Sequence, residues 1–245
     1  MKMLAKGSFG ALLLTAAMSV AAFPVDVTSI DGVFENALKS NGSFADGNNS
    51  STISWGNTGG RRNPKPQSSY SFTGASPLPI QIVDDSAFSL GSLTHTNEQI
   101  TGPTLTSTDL AITLGFSGFG ETGAQNGTFR FAHDETVDNG TNVQCTSWFL
   151  FWCVRETNLE NGAVDDTVTQ TGATVTSSSF VLGGFEYTLE LLGLTANGST
   201  AEGSTRSYDL QAKLNASALP VPEPGTLALL GLGLAGLGMA RRRKA

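Results

Sequence analysis

Apolar and polar residues alternate along most of this chain. In LAITLGF, Leu110, Ile112, Leu114 and Phe116 fall on one face; in FEYTLELL, Phe185, Tyr187, Leu189 and Leu191 do; in YDLQAKL, Tyr208, Leu210, Ala212 and Leu214 do. A side-chain period of two belongs to a strand with one buried face, whereas a surface helix repeats its apolar positions every third or fourth residue. TISW around Trp55, SSYSF around Phe72, GTFRF around Phe131 and TVTSSSFVL from Thr174 extend the series. Gly183-Gly184, between SSFVL and FEYTLEL, predicts a tight hairpin with positive φ at the turn. Roughly ten short strands with no long helical stretch predict an all-β fold, an antiparallel β-sandwich or jelly roll. A parallel β-helix fits less well because no fixed repeat is present. GNTGGRRNPKPQ reads as a loop and LNASALPVPEPG as a short linker.

The alternation stops at both ends. At the start, Lys2 and Lys6 precede an apolar stretch from Phe9 to Val20, then Ala21 and Ala22 before Phe23-Pro24. A basic region, a short apolar region and small residues make a secretory signal peptide, with cleavage expected after Ala22. At the other end, the apolar run Leu227 to Ala240 abuts Arg241, Arg242, Arg243 and Lys244. As a helix that run covers roughly 21 Å at ~1.5 Å per residue, short of the ~30 Å hydrocarbon core. Local thinning of the bilayer and snorkelling arginines let it span, with the basic stop-transfer cluster on the cytoplasmic side and everything upstream outside. Gly231, Gly233 and Gly236 spell GxGxxG, but no βαβ unit surrounds them, so a nucleotide loop is rejected.

These ends change the reading of the charge. The whole chain carries −7, yet Lys2, Lys6 and the four basic tail residues lie in the terminal segments, which hold Glu223 as their one acid. The exported part is therefore more acidic than the whole, which excludes nucleic acid as a partner. Two cysteines, Cys145 and Cys153, lie in CTSWFLFWC. In an exported chain such an isolated pair reads as a disulfide, and no CxxC spacing argues for a catalytic thiol.

The tail, VPEPGTLALLGLGLAGLGMARRRK, resembles the PEP-CTERM sorting signal: Pro222, Glu223 and Pro224, a glycine-leucine helix, then an arginine cluster. The resemblance implies export in a Gram-negative bacterium that makes extracellular polysaccharide, and handling by an exosortase, a membrane thiol enzyme that cleaves near the motif. Two prolines bar helix and strand there, leaving an extended peptide at the outer membrane face. The resulting division is a signal peptide over 1–22, an exported β-sandwich over 23–217, and a sorting region over 218–245. That region has its motif at 221–225, a transmembrane helix at 226–240 and a basic tail at 241–245. FSLGSLTHTNEQITG resembles the motif of the THxN family of PEP-CTERM proteins, with Thr94, His95 and Asn97 at the named positions, and SWGN and SSYSF suit the related choice-of-anchor K domains. No established activity comes with that family.

His95 and His133 are the two histidines. THTN reads most simply as a turn whose side chains bond free backbone groups, and His133, beside Asp134 and Glu135, as a structural residue at a strand end. No metal and no cofactor are expected. Glycoside hydrolysis needs two carboxylates set ~5–9.5 Å apart, and nothing selects such a pair; GxSxG, HExxH and a P-loop are absent, so no catalytic residue is assigned. Trp148, Phe149, Phe151 and Trp152 read as core or inter-sheet packing, with Trp148 and Trp152 able to stack on sugar rings if exposed. The expected function is a non-enzymatic surface or extracellular-matrix protein, held at the inner membrane before release to the cell surface. Its expected partners are an exosortase and extracellular polysaccharide; the competing expectation is a secreted carbohydrate-binding module.

Overall fold

The computed structural model describes residues 21–60, 63–135, 143–149, 152–158, 165–195 and 198–220, with helical residues at 230–234, 236 and 239; for 143–149 and 152–158 it describes the backbone. Among these, the first strands are β1 (Val25–Lys39), β2 (Thr52–Trp55), β3 (Gly59–Gly60), β4 (Asn63–Pro64), β5 (Ser68–Gly74), β6 (Ile80–Ile82), β7 (Ala87–Asn97) and β8 (Leu105–Gly118). They continue with β9 (Glu121–Asp134), β10 (Val143–Phe149), β11 (Trp152–Asn158), β12 (Asp166–Val175), β13 (Phe180–Leu182), β14 (Phe185–Leu194), β15 (Gly198–Thr200) and β16 (Ser204–Ala218).

Two antiparallel six-stranded sheets result, in the orders β15-β12-β9-β8-β1-β6 and β13-β14-β16-β7-β5-β2. One apolar cluster draws on both, with Phe34, Leu110 and Phe129 from the first sheet and Leu93, Tyr187 and Leu214 from the second. Each fully buried side chain of this kind contributes about 1.5–3 kcal/mol, which is what holds the layers together. The alternation read from sequence is the burial pattern observed: Leu110, Ile112, Leu114 and Phe116 of β8 are all buried, as are Tyr208, Leu210, Ala212 and Leu214 of β16. Gly183 and Gly184 turn β13 into β14 with φ of 57° and 83°. The all-β, two-sheet expectation holds; this strand order does not of itself make a jelly roll.

Several expectations are corrected. The main strands are long, β1 and β16 running 15 residues and β8 and β9 running 14, because both sheets are long enough to pair them throughout. THTN is no turn: Thr94 to Asn97 lie in β7, Thr94 to Thr96 paired with both β16 and β5 and Asn97 with β16. The expected linker begins as strand, since β16 pairs with β14 from Leu214 as far as Ala218, and its residues 221–225 lie outside the described ones. Within the expected loop at GNTGGRRNPKPQ, Gly59–Gly60 and Asn63–Pro64 form a small ladder.

Gly91 carries the decisive irregularity of β7. Here Leu210 pairs with Gly91 but Gln211 pairs with Ser89, a bulge that inserts one residue. Upstream the inward residues are Phe88 and Leu90; downstream they are Leu93, His95 and Asn97. The extra residue switches the parity, and so turns His95 and Asn97 of the motif inward while Thr94 faces away.

β10 and β11 pair with each other as a separate two-stranded ladder. Their register sets Cys145 opposite Glu156 and Cys153 opposite Trp148, so the two cysteine backbones are offset along the ladder. Strand neighbours are bridged when they lie directly opposite, so this register lends the expected disulfide no support. The side chains of Cys145, Cys153, Trp148 and Trp152 lie outside the described residues. So do residues 1–20, most of the expected signal peptide; Pro222, Glu223 and Pro224; and Arg241, Arg242, Arg243 and Lys244. Among the described residues no helix is long and apolar enough to cross a membrane.

Candidate functional site

The most polar part of the interior lies where the two sheets meet at one end. From the second sheet come Trp55 of β2, Tyr70 of β5, His95 and Asn97 of β7, and Tyr208 of β16. From the first come His133 of β9, Glu135 just beyond it, Asp166 of β12 and Thr200 of β15. Trp55, Tyr70, His95 and Asn97 are each 0% exposed, and Asp166 and Thr200 1%. Polar groups so deep must find partners or leave a cost of about 1–3 kcal/mol each.

Most of them do. Tyr70 Oη lies 2.6 Å from His133 Nδ1, and His133 Nε2 lies 3.0 Å from Glu135 Oε2 and 3.8 Å from Asp166 Oδ2. The Trp55 indole N–H donates to the same Glu135 oxygen at 2.7 Å. On the other side, His95 Nδ1 lies 2.9 Å from Thr200 Oγ1, which lies 2.7 Å from Tyr208 Oη. Asn97 Nδ2 donates to the Thr200 carbonyl at 2.9 Å. Among the described residues of this cluster, His95 Nε2 and Asn97 Oδ1 are buried without a hydrogen-bond partner.

The aromatic rings enclose this network. His95 stacks near Trp55 at 5.9 Å between centroids and 21° between planes, and meets Tyr70 edge-on at 4.8 Å and His133 at 5.2 Å. Burial first, and then the neighbouring His133, push the His95 imidazole down to a pKa of about 3, so it remains neutral at ordinary pH. Burial, reinforced by the Asp166 and Glu135 carboxylates, raises the Tyr70 phenol well above its usual value, so it stays protonated and available as a donor.

Of the residues singled out in the sequence, the structure brings His95, Asn97 and His133 together and leaves Thr94 out. Thr94 Oγ1 instead meets Ser207 Oγ at 2.8 Å on the opposite face of the sheet. His133 does sit at the end of its strand, and Asp134 points outward as alternation requires; Glu135, one residue further, returns to the His133 side. Trp55, Tyr70, Asp166 and Thr200 were not foreseen in this role. Their one signal was parity, since Trp55 shares a face with Ile53, and Asp166 with Val168.

The comparisons bear on the far end of the chain. Residues 220–244 match the PEP-CTERM protein-sorting motif, and the match does not reach Thr94, His95 or Asn97. No curated protein matches the chain. The chain thus carries a C-terminal sorting signal of the PEP-CTERM kind over Pro222, Glu223, Pro224, the apolar run and Arg241 to Lys244, which implies export and processing by an exosortase.

Proposed function

We propose that this is a non-enzymatic envelope or matrix protein: an acidic β-sandwich of the THxN type, exported by a cleaved signal peptide ending at Ala22 and delivered to the cell surface or extracellular polysaccharide. The observation that carries the reading is the sorting motif over residues 220–244. In this account Leu227 to Ala240 hold the protein temporarily in the inner membrane, and the exosortase acts at Pro222 to Pro224.

The polar cluster supports a structural rather than a catalytic body, because most of its donors and acceptors are spent on one another between the sheets. A hydrolase would call for an open hollow holding a carboxyl of raised pKa. The surface hollow of about 430 Å³ beside Phe23, Val83 and Asp84 offers the reverse, since hydrogen bonds from Ser86 hold the Asp84 carboxyl below its ordinary range. Phe23, which would become the first residue after cleavage, packs edge-on against Tyr187 at 6.1 Å.

Fractionation of the native host tests the reading. Wild-type protein is expected outside the inner membrane, with its N-terminus at Phe23, and Glu223→Ala is expected to accumulate in the inner-membrane fraction. Equal distribution of the two would count against sorting by this motif. A carbohydrate-binding module is the second reading, favoured by the separation of β10 and β11, which carry Trp148 and Trp152, from both main sheets. Binding to a glycan array that disappears in Trp148→Ala would support it, and silence across neutral and acidic glycans would remove it.

A further inference from the structure

We propose that His95, His133 and Asp166 form a structural site for a zinc-type divalent cation that clamps one sheet to the other. This goes beyond sorting and does not depend on it, and it revises the expectation that the protein holds no metal. Each of the three residues offers a ligand atom within 4.8 Å of the others, and all three are buried. They come from β7, β9 and β12, strands of both sheets. Ligand atoms around tetrahedral zinc stand about 3.4 Å apart at bonds of ~2.0–2.1 Å, so a modest inward movement closes the set.

The donor chemistry favours a cation at this place. His95 Nε2 is buried without a partner, and Asn97 Oδ1 beside it is in the same condition. Leaving a ring nitrogen in that state costs stability, and when the Nδ1–H donates to Thr200 Oγ1 it is the Nε2 lone pair that is left for something electrophilic. The Nδ1 atoms of both histidines are already engaged by hydroxyl groups, Thr200 Oγ1 for His95 and Tyr70 Oη for His133. Metal-bound imidazoles are held in this way, the outer nitrogen tied to an oxygen and the inner one turned to the metal. Two carboxylates, Asp166 and Glu135, are also sunk here, with side-chain exposures of 1% and 6%. The buried polar residues described include no lysine or arginine to balance them. A divalent cation is the natural counter-charge for two carboxylates buried in this way. Glu135 stands outside this group of three, but its Oε2, 3.0 Å from His133 Nε2 and steadied by the Trp55 indole, adds negative charge beside it. Two imidazoles with carboxylate suit zinc and its neighbours; calcium and magnesium prefer oxygen alone.

The test uses the full-length chain without a polyhistidine tag, stripped with EDTA and titrated with Co(II) and then Zn(II). One equivalent of Co(II) is expected to develop the intense visible bands of a tetrahedral site, which Zn(II) abolishes. His95→Gln and Asp166→Asn, verified as folded by circular dichroism, are expected to weaken uptake at least tenfold. Should those variants not fold, X-ray absorption of zinc-loaded wild type decides instead. The chain has two histidines, so imidazole scattering from two ligands assigns His95 and His133 together. Oxygen-only ligation, no uptake by the folded stripped protein, or equal uptake by folded His95→Gln would overturn the proposal and leave a buried water as the partner of His95 Nε2.

Discussion

The Tyr70 hydroxyl and His133 Nδ1 stand 2.6 Å apart, and they belong to different sheets. Both residues are buried, so this bond ties the layers through the interior where water cannot replace it. Tyr70→Phe keeps the ring and removes the hydroxyl, leaving the imidazole nitrogen without that partner. It is expected to lower stability by about 1–3 kcal/mol, read as a fall in the urea midpoint with the m-value unchanged. An unchanged midpoint would mean that the hydroxyl contributes nothing net.

Gly91 decides which residues of β7 face inward. Its φ is +131°, and a Cβ built there would lie 2.1 Å from the Thr73 carbonyl oxygen. Gly91→Ala is therefore both strained and blocked by backbone, and a loss of about 2–4 kcal/mol or failure to fold is expected. Gly184→Ala, with positive φ but open space around it, provides the comparison and is expected to lose only about 1 kcal/mol. Equal effects from the two substitutions would show that the bulge is not specially constrained.

The His95 imidazole gives the metal-stripped protein a definite acid response. Its folded pKa of about 3 lies below the unfolded value near 6.5, so the unfolded state takes the proton first as pH falls. Its contribution is complete above about pH 6.5 and declines towards pH 3, by up to about 1.4 kcal/mol per pH unit. His133, Glu135, Asp166, Tyr70 and Tyr208 share the pocket, so the comparison with His95→Gln isolates this residue. Urea midpoints taken at about pH 7 and about pH 5 are expected to fall more steeply in wild type than in His95→Gln. Parallel falls would contradict the assignment.

Much of the fold was legible because burial on one face leaves a period of two that survives without any knowledge of partners. LAITLGF, FEYTLELL and YDLQAKL became β8, β14 and β16, and the Gly183-Gly184 pair became the expected hairpin. THTN was misread as a turn because its polar residues alternate with polar residues, so the pattern could not show that His95 and Asn97 face a buried polar pocket. The bulge at Gly91 made the reading harder, shifting the inward set by one between Leu90 and Leu93. The rest of the site is a matter of tertiary register. His95 meets Thr200 across 105 positions and Tyr70 meets His133 across 63, and no local pattern announces such pairs. The tail was the opposite case, a contiguous signal readable in full at Pro222 to Lys244.

This tail is expected to be a processed sorting signal. C-terminal mass spectrometry of the protein from its native host, beside a Glu223→Ala variant, tests it most directly. Wild type is expected to have lost everything beyond the Pro222 to Pro224 region, while the variant keeps its tail to Ala245. A wild-type chain ending intact at Ala245 would contradict processing and leave a plainly membrane-anchored surface protein.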